Sequence, residues 1–354
     1  MIPGRDQRLG TDPRRRHRTK ILALLAAGAL CLAGFVIVQL APGPAKPLPA
    51  PVIRHTQRLG AVAWPASGKS AAYISGVGLV PGPGATRPVP IASVAKVMTA
   101  YVILRDHPLA AGAPGPLITV RPQEAAAYAS QVRNGDSLVP VAAGETITER
   151  QALEALLLPS ADNMAWILAR WDAGSQAAFV ARMNTTARQL GMTATTYTDP
   201  SGLDVSTTST AGDQARLGTA AMRMPALASV VAMRTADIPV AGVVRNLNTL
   251  LGHDGIAGLK TGSTDAAGGC VLLAAWRRAG SRRTLIIAAT LGQPGTMRTM
   301  LPNALRAGNA LVLSVDDALS RQPGGHHRHH RRDLHTRIHR DTPGRLPSSQ
   351  QGAR

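Results

Sequence analysis

Residues 21–40, ILALLAAGALCLAGFVIVQL, form an almost wholly apolar run, and this run decides how the rest of the chain can be used. As a helix it would reach about 30 Å, the thickness of a bilayer core. Arg14, Arg15, Arg16, Arg18 and Lys20 stand directly before it. Under the positive-inside rule that charge keeps residues 1–20, a basic segment, in the cytoplasm and sends everything after Leu40 outside. A buried core helix would leave the charge asymmetry without a reason. The run is longer than the roughly 7–15 apolar residues of a signal-peptide core, and Gly43-Pro44-Ala45 matches a cleavage site only weakly. The sequence therefore predicts a single-pass signal anchor at the cell membrane. If the segment were cleaved, the protein would be secreted.

The remaining boundaries follow from composition. Residues 41–57 begin with five prolines in APGPAKPLPAPVIR and predict a semi-rigid linker. Residues 58–320 carry the folded domain. Residues 321–354 contain HHRHHRRDLHTRIHR and almost nothing apolar, which predicts a disordered tail. No carboxylate or Cys is arranged to complete a metal site with His326, His327, His329 and His330, and no cofactor is called for. The net charge of +19 is concentrated at the two low-complexity ends, without the aromatics or motif that nucleic-acid binding would want. Cys31 and Cys270 are too few for a disulfide framework or a Cys-based zinc site.

Within the domain, residues 60–80 alternate weakly and read as strands. Residues 93–106 read as a helix apolar nearly all round, hence buried. Helical patterns recur near 149–158, 160–171, 175–190 and 211–223. Residues 256–262, 269–276 and 284–291 read as three short strands, and a last helix covers about 296–315. Strands at both ends with helices between predict one sheet closed by both ends of the domain.

The chain has 34 Arg and only five Lys: Lys20, Lys46, Lys69, Lys96 and Lys260. Arg stays protonated, whereas Lys can be tuned to release its proton, so an interior Lys in such a chain needs a reason. Lys96 closes Ser93-Val94-Ala95-Lys96, and residues at i and i+3 share a helix face. A desolvated Lys near a second cation is a base able to activate a Ser hydroxyl. A Lys snorkelling to solvent is the plainer alternative. Lys260 opens Lys260-Thr261-Gly262-Ser263 on an expected strand, where a cation and a hydroxyl could grip a carboxylate and Gly262 would permit close approach. Between them lies Leu158-Pro159-Ser160-Ala161-Asp162-Asn163, where Ser160 could simply cap the following helix.

The order S-x-x-K, S-x-x, K-T-G is a signature of penicillin-binding proteins and class A β-lactamases. Over about residues 58–315 the chain resembles the serine-type D-alanyl-D-alanine carboxypeptidases of the actinobacterial type. Beyond the three motifs, the resemblance rests on Pro90-Ile91-Ala92-Ser93, Pro200-Ser201-Gly202-Leu203-Asp204, Ser209-Thr210-Ala211, Asn246-Leu247-Asn248 and Gly268-Gly269-Cys270. It implies an α/β (α+β) fold of the DD-peptidase/β-lactamase type, an antiparallel sheet flanked by helices with an all-helical region. It implies Ser93 as nucleophile, Lys96 as its base, and Ser160 with Lys260 relaying a proton to the departing D-alanine. Thr261 would help hold the substrate's terminal carboxylate, and the N–H groups of Ser93 and Ser263 would form the oxyanion hole. Arg298 matches, more weakly, an arginine near the same carboxylate. The implied partners are peptidoglycan stem peptides and, as covalent inhibitors, β-lactams.

The sequence departs from the family's Ser-x-Asn at Asp162. Asn163 follows, but one residue further along a helix points about 100° away. A carboxylate near Lys96 would favour the ammonium and weaken the base. A catalytically weak peptidoglycan- or β-lactam-binding protein is therefore an alternative. A β-lactamase is disfavoured, because none of the four Glu, at 124, 145, 149 and 154, follows Ser160 where a deacylating glutamate would lie.

Overall fold

Alternation along three long strands decides the architecture. The computed structural model describes residues 59–279 and 282–321. The expected anchor, the linker and the expected tail from residue 322 on lie outside the described residues, and among those described no helix is long and apolar enough to cross a membrane. Strands β1 (Lys69–Ile74), β2 (Gly78–Pro81), β9 (Ile256–Thr264), β10 (Gly268–Ala279) and β11 (Arg282–Gln293) form one antiparallel sheet in the order β2-β1-β11-β10-β9. The first strand thus pairs with the last, Ala71 opposite Ala289 and Ile74 opposite Ile286. The sheet is closed by both ends of the domain, as the sequence predicts.

Successive side chains on a strand face opposite ways. Leu272, Ala274, Ile287 and Ala289 point into a core shared with the helical region, whereas Val271, Leu273, Ala275, Ile286 and Ala288 pack beneath the last helix, α8 (Met300–Ser320). Aromatics are only 3% of the chain, so alanines line much of this sheet and helices come close. Gly308 of α8 lies over Val271 and Leu273, where an added Cβ would stand 2.8 Å from Val271.

On the other face the chain builds its helices. A 3₁₀ turn (Ala92–Ala95) leads into α1 (Lys96–Asp106), whose residues 96–104 are all buried. Around it lie α2 (Pro122–Arg133), α3 (Glu149–Leu157), α4 (Asp162–Ala173), α5 (Gln176–Gln189), α6 (Ala211–Ala221) and α7 (Pro225–Val231). The short pairs β3 (Val89–Pro90) with β6 (Thr208–Ser209), β4 (Leu117–Thr119) with β5 (Thr146–Thr148), and β7 (Thr235–Ile238) with β8 (Gly242–Arg245) tie the connections together. The sequence reading misses α2, which buries no residue fully and so has no apolar stripe. It also starts α8 too early, because the turn bonded from Thr296 to Thr299 precedes the first helical residue.

Among the described residues, one buried carboxylate has no partner. Glu149, at the first position of α3, is 1% exposed beneath residues 114–116, and neither carboxylate oxygen accepts a hydrogen bond among the described residues. The nearby Arg150 is already paired with Glu154 at 2.8 Å. Burial pushes the Glu149 carboxyl up from 4.5 to about 7. The unfolded chain therefore sheds this proton first, and stability falls as pH rises from 4.5 to 7 and then levels off. Glu149→Gln should raise the melting temperature relative to the parent by an amount that grows across this window, read by thermal unfolding at several pH values. A gap equal at pH 4.5 and pH 8 would contradict the assignment.

Candidate active site

Three non-glycine residues with left-handed backbone stand at the motif positions: Ala92 (φ 47°), Ser160 (φ 71°) and Leu259 (φ 84°). Each costs on the order of 1–3 kcal/mol and persists only where surrounding structure enforces it. Ala92 precedes Ser93, and Leu259 precedes Lys260. The strain therefore marks the three segments that the sequence motifs single out.

Lys96 is the centre of the arrangement. Its side chain is fully buried, and Nζ donates to Ser93 Oγ at 2.7 Å, to Asp162 Oδ1 at 2.6 Å and to the Ser201 carbonyl at 2.9 Å. These three acceptors use all three donors of an ammonium. The Ser201 carbonyl is itself held in place. Asp199 Oδ2 accepts the backbone N–H groups of Ser201 and Gly202 at 3.1 and 2.8 Å, and Thr99 Oγ1 donates to the Pro200 carbonyl at 2.6 Å.

Asp162 begins α4, where the helix N-terminus favours an anion. Its Oδ2 accepts the Ser137 N–H at 2.9 Å, and its own N–H donates to the Ser137 carbonyl at 2.6 Å. Asn163 turns away, as helical geometry requires. Its side chain accepts the Val139 N–H at 3.3 Å and donates to the Val139 carbonyl at 2.8 Å. No neutral amide therefore takes the place of Asp162 beside Lys96.

Ser160 is 3% exposed, and its Oγ has no partner among the described residues. It does not cap α4: Ala161 occupies the cap position, one residue later, without a side-chain bond. The plain capping role considered for Ser160 is thereby corrected.

Lys260, on edge strand β9, is 1% exposed and donates to the Thr261 carbonyl at 2.9 Å. Burial and, secondly, the Lys96 charge hold its amine well below the usual lysine range, while Asp162 opposes them. Thr261 and Gly262 are buried and Ser263 is half-buried. Gly262 lies against the Ser93 turn, where an added Cβ would stand 2.8 Å from Ser93 N and 3.0 Å from Val94 N. Arg298 is exposed between β11 and α8, and makes no hydrogen bond or ion pair to the other candidates among the described residues. The sequence reading missed the parts played by Ser137 and by the carbonyl of Ser201, because both act through backbone atoms. It also missed Asp136, half-buried beside Ser137, whose carboxyl is raised by burial and then by Asp162, with Lys96 opposing.

A family model described as D-alanyl-D-alanine carboxypeptidase matches residues 83–294. The chain belongs to the D-alanyl-D-alanine carboxypeptidase family. It is 37% identical over 194 residues to a D-alanyl-D-alanine endopeptidase of Pseudomonas aeruginosa, covering 52% of this chain and 59% of that protein. It is 40% identical over 161 residues to a D-alanyl-D-alanine carboxypeptidase of Mycobacterium tuberculosis, covering 44% of this chain and 54% of the relative. The chain thus spans little more than half the length of these two relatives. The fold superposes on a mutant of a Streptomyces DD-transpeptidase with a TM-score of 0.61 and 25% identity, covering 71% of this chain and 97% of that one. The mixed fold expected from the resemblance is therefore the fold observed. The family match contains every candidate residue except Arg298.

The close approach of Gly262 gives a direct test of the family geometry. Gly262→Ala should slow acylation by penicillin at least about tenfold while lowering the melting temperature by only a few degrees, as overpacking of one methyl would. A rate within about twofold of the parent would show that the Ser93 turn does not depend on this contact.

Proposed function

We propose that the chain is a serine-type carboxypeptidase that removes the terminal D-alanine from peptidoglycan stem peptides through an acyl-enzyme on Ser93. The observation that carries this reading is the Ser93 Oγ to Lys96 Nζ contact of 2.7 Å, made by a fully buried lysine. Ser93 Oγ attacks the carbonyl of the penultimate D-alanine and passes its proton to Lys96 as base. The N–H groups of Ser93 and Ser263 take the oxyanion. The bond to the last D-alanine then breaks, and the proton taken from Ser93 returns through Ser160 and Lys260 to the departing amine. Water cleaves the ester and restores the Ser93 hydroxyl. The unpaired, buried Ser160 Oγ and the lowered amine of Lys260 support the relay. Thr261 and Gly262 receive the substrate's terminal carboxylate at the β9 edge, with Arg298 approaching it from the β11–α8 loop.

The same reading makes β-lactams covalent inhibitors, in keeping with a related Listeria monocytogenes penicillin-binding protein solved in its ampicillin-bound form. It also includes the anchor, with residues 21–40 crossing the membrane and the domain outside. One observation favours a weakly catalytic binding protein instead: the Asp162 carboxylate lies 2.6 Å from Lys96 Nζ, and a carboxylate so placed favours an ammonium over the free amine that a base must be.

Incubation with a D-Ala-D-Ala peptide decides between them. D-alanine should be released, penicillin should label Ser93, and Ser93→Ala should abolish both. Labelling without release would favour the binding reading. A label on Ser160 or Ser201 would overturn the assignment of the nucleophile.

A further inference from the structure

Beside the first turns of α4, between α2, α4 and the start of α5, lies a cavity of about 280 Å³. We propose that it binds an N-acetylated sugar of the glycan strand, an inference that rests on peptidoglycan being the substrate of the neighbouring site.

The lining has the mixed character that a pyranose ring requires. A sugar presents a C–H face and a rim of hydroxyls, and it is met by an aromatic or apolar surface edged with amides and guanidiniums. Here Trp166 and Ile167 supply the apolar wall, with the Trp166 side chain only half-buried. Gln123, Gln131 and Gln176 supply amides that can both donate and accept. Gln131 Oε1 is buried and accepts no hydrogen bond among the described residues. A ligand hydroxyl or acetamido N–H would relieve that cost.

The charges disfavour an anion as occupant. Arg170 is bound to Glu124 through two hydrogen bonds, at 2.7 and 3.0 Å, and its remaining capacity goes partly to the Thr119 carbonyl at 3.0 Å. That pair is internally neutral, and Arg121 is the remaining cation of the lining. Amides thus outnumber uncommitted charge. The volume lies near the lower end for small-molecule pockets and suits about one or two sugar rings.

Position supports the same occupant. Asn163 lines the cavity, and its neighbour Asp162 touches Lys96 from about 100° around the same helix turn. Asn163 also grips Val139, two residues after the Ser137 that pairs with Asp162. A polymer carrying both sugars and stem peptides can therefore reach both places on this turn. Holding the strand would raise the effective concentration of its peptides at Ser93.

The test uses the full chain in a detergent with a zwitterionic, sugar-free headgroup. Chitotriose, a trimer of N-acetylglucosamine, is titrated by calorimetry, with maltotriose as control. Trp166→Ala and Gln131→Leu should each weaken chitotriose binding at least about tenfold while melting cooperatively, as expected for loss of an aromatic contact or a buried hydrogen bond. Should Trp166→Ala fail to fold, Gln131→Leu and the exposed Arg121→Ala carry the comparison. Absence of binding to the parent protein, equal affinity for maltotriose, or undiminished binding by the folded variants would overturn the proposal. Penicillin labelling of the parent protein is measured separately. A protein that takes penicillin but not chitotriose refutes the sugar site alone, whereas one that takes chitotriose but not penicillin refutes the reading of Ser93.

Discussion

The burial of the Lys96 side chain is the constraint to which the rest of the site answers. Taking a lysine out of water costs several kcal/mol unless its charge is paired and its donors are used. Three parts of the chain far apart in sequence meet that demand: the Ser93 turn, the Asp162 helix start and the Pro200–Ser201 turn. Each is then fixed by its own supports. Asp199 collects the N–H groups of the Ser201 turn, Ser137 pairs twice with Asp162, and Gly262 of β9 lies against the N–H groups that follow Ala92. The left-handed backbone at Ala92, Ser160 and Leu259 falls within or beside these same segments.

Around that point the two lysines acquire different characters from their surroundings. Lys96 faces a carboxylate at 2.6 Å. Among the described residues Lys260 has only its neighbour's carbonyl, and burial together with the Lys96 charge lowers its amine. The two like side chains therefore stand in different surroundings, because one of them lies against Asp162. The sheet carries Lys260 on its edge strand β9, beside the Ser93 turn.

Much of this was legible in the sequence, for identifiable reasons. The long strands β10 and β11 announce themselves by apolar runs, and α1 by being apolar all round. Ser93 and Lys96 are one helical turn apart, so their contact follows from spacing alone. The displacement of Asn163 follows from helix geometry in the same way. What spacing cannot deliver is backbone chemistry between distant segments. The carbonyl of Ser201 and the N–H of Ser137 belong to groups every residue has, so no side chain marks them. Helix α2 escaped because it packs without a buried stripe, and the glutamine-lined cavity beside it carries no motif.

If Asp162 holds Lys96 back from acting as a base, the pH dependence of penicillin acylation in Asp162→Asn beside the parent protein reads that effect, with melting curves to establish that the variant is folded. Removing one partner of a buried ion pair normally destabilises by about 3–5 kcal/mol, but a lysine can avoid that penalty by releasing its proton. That release is what a base requires. Acylation by the variant should be faster near neutral pH, within the roughly 10²–10⁴-fold range available to base catalysis, and the gain should shrink toward high pH. A rate that is flat or lower across the whole pH range would contradict it and would show that Asp162 serves the site as an amide would.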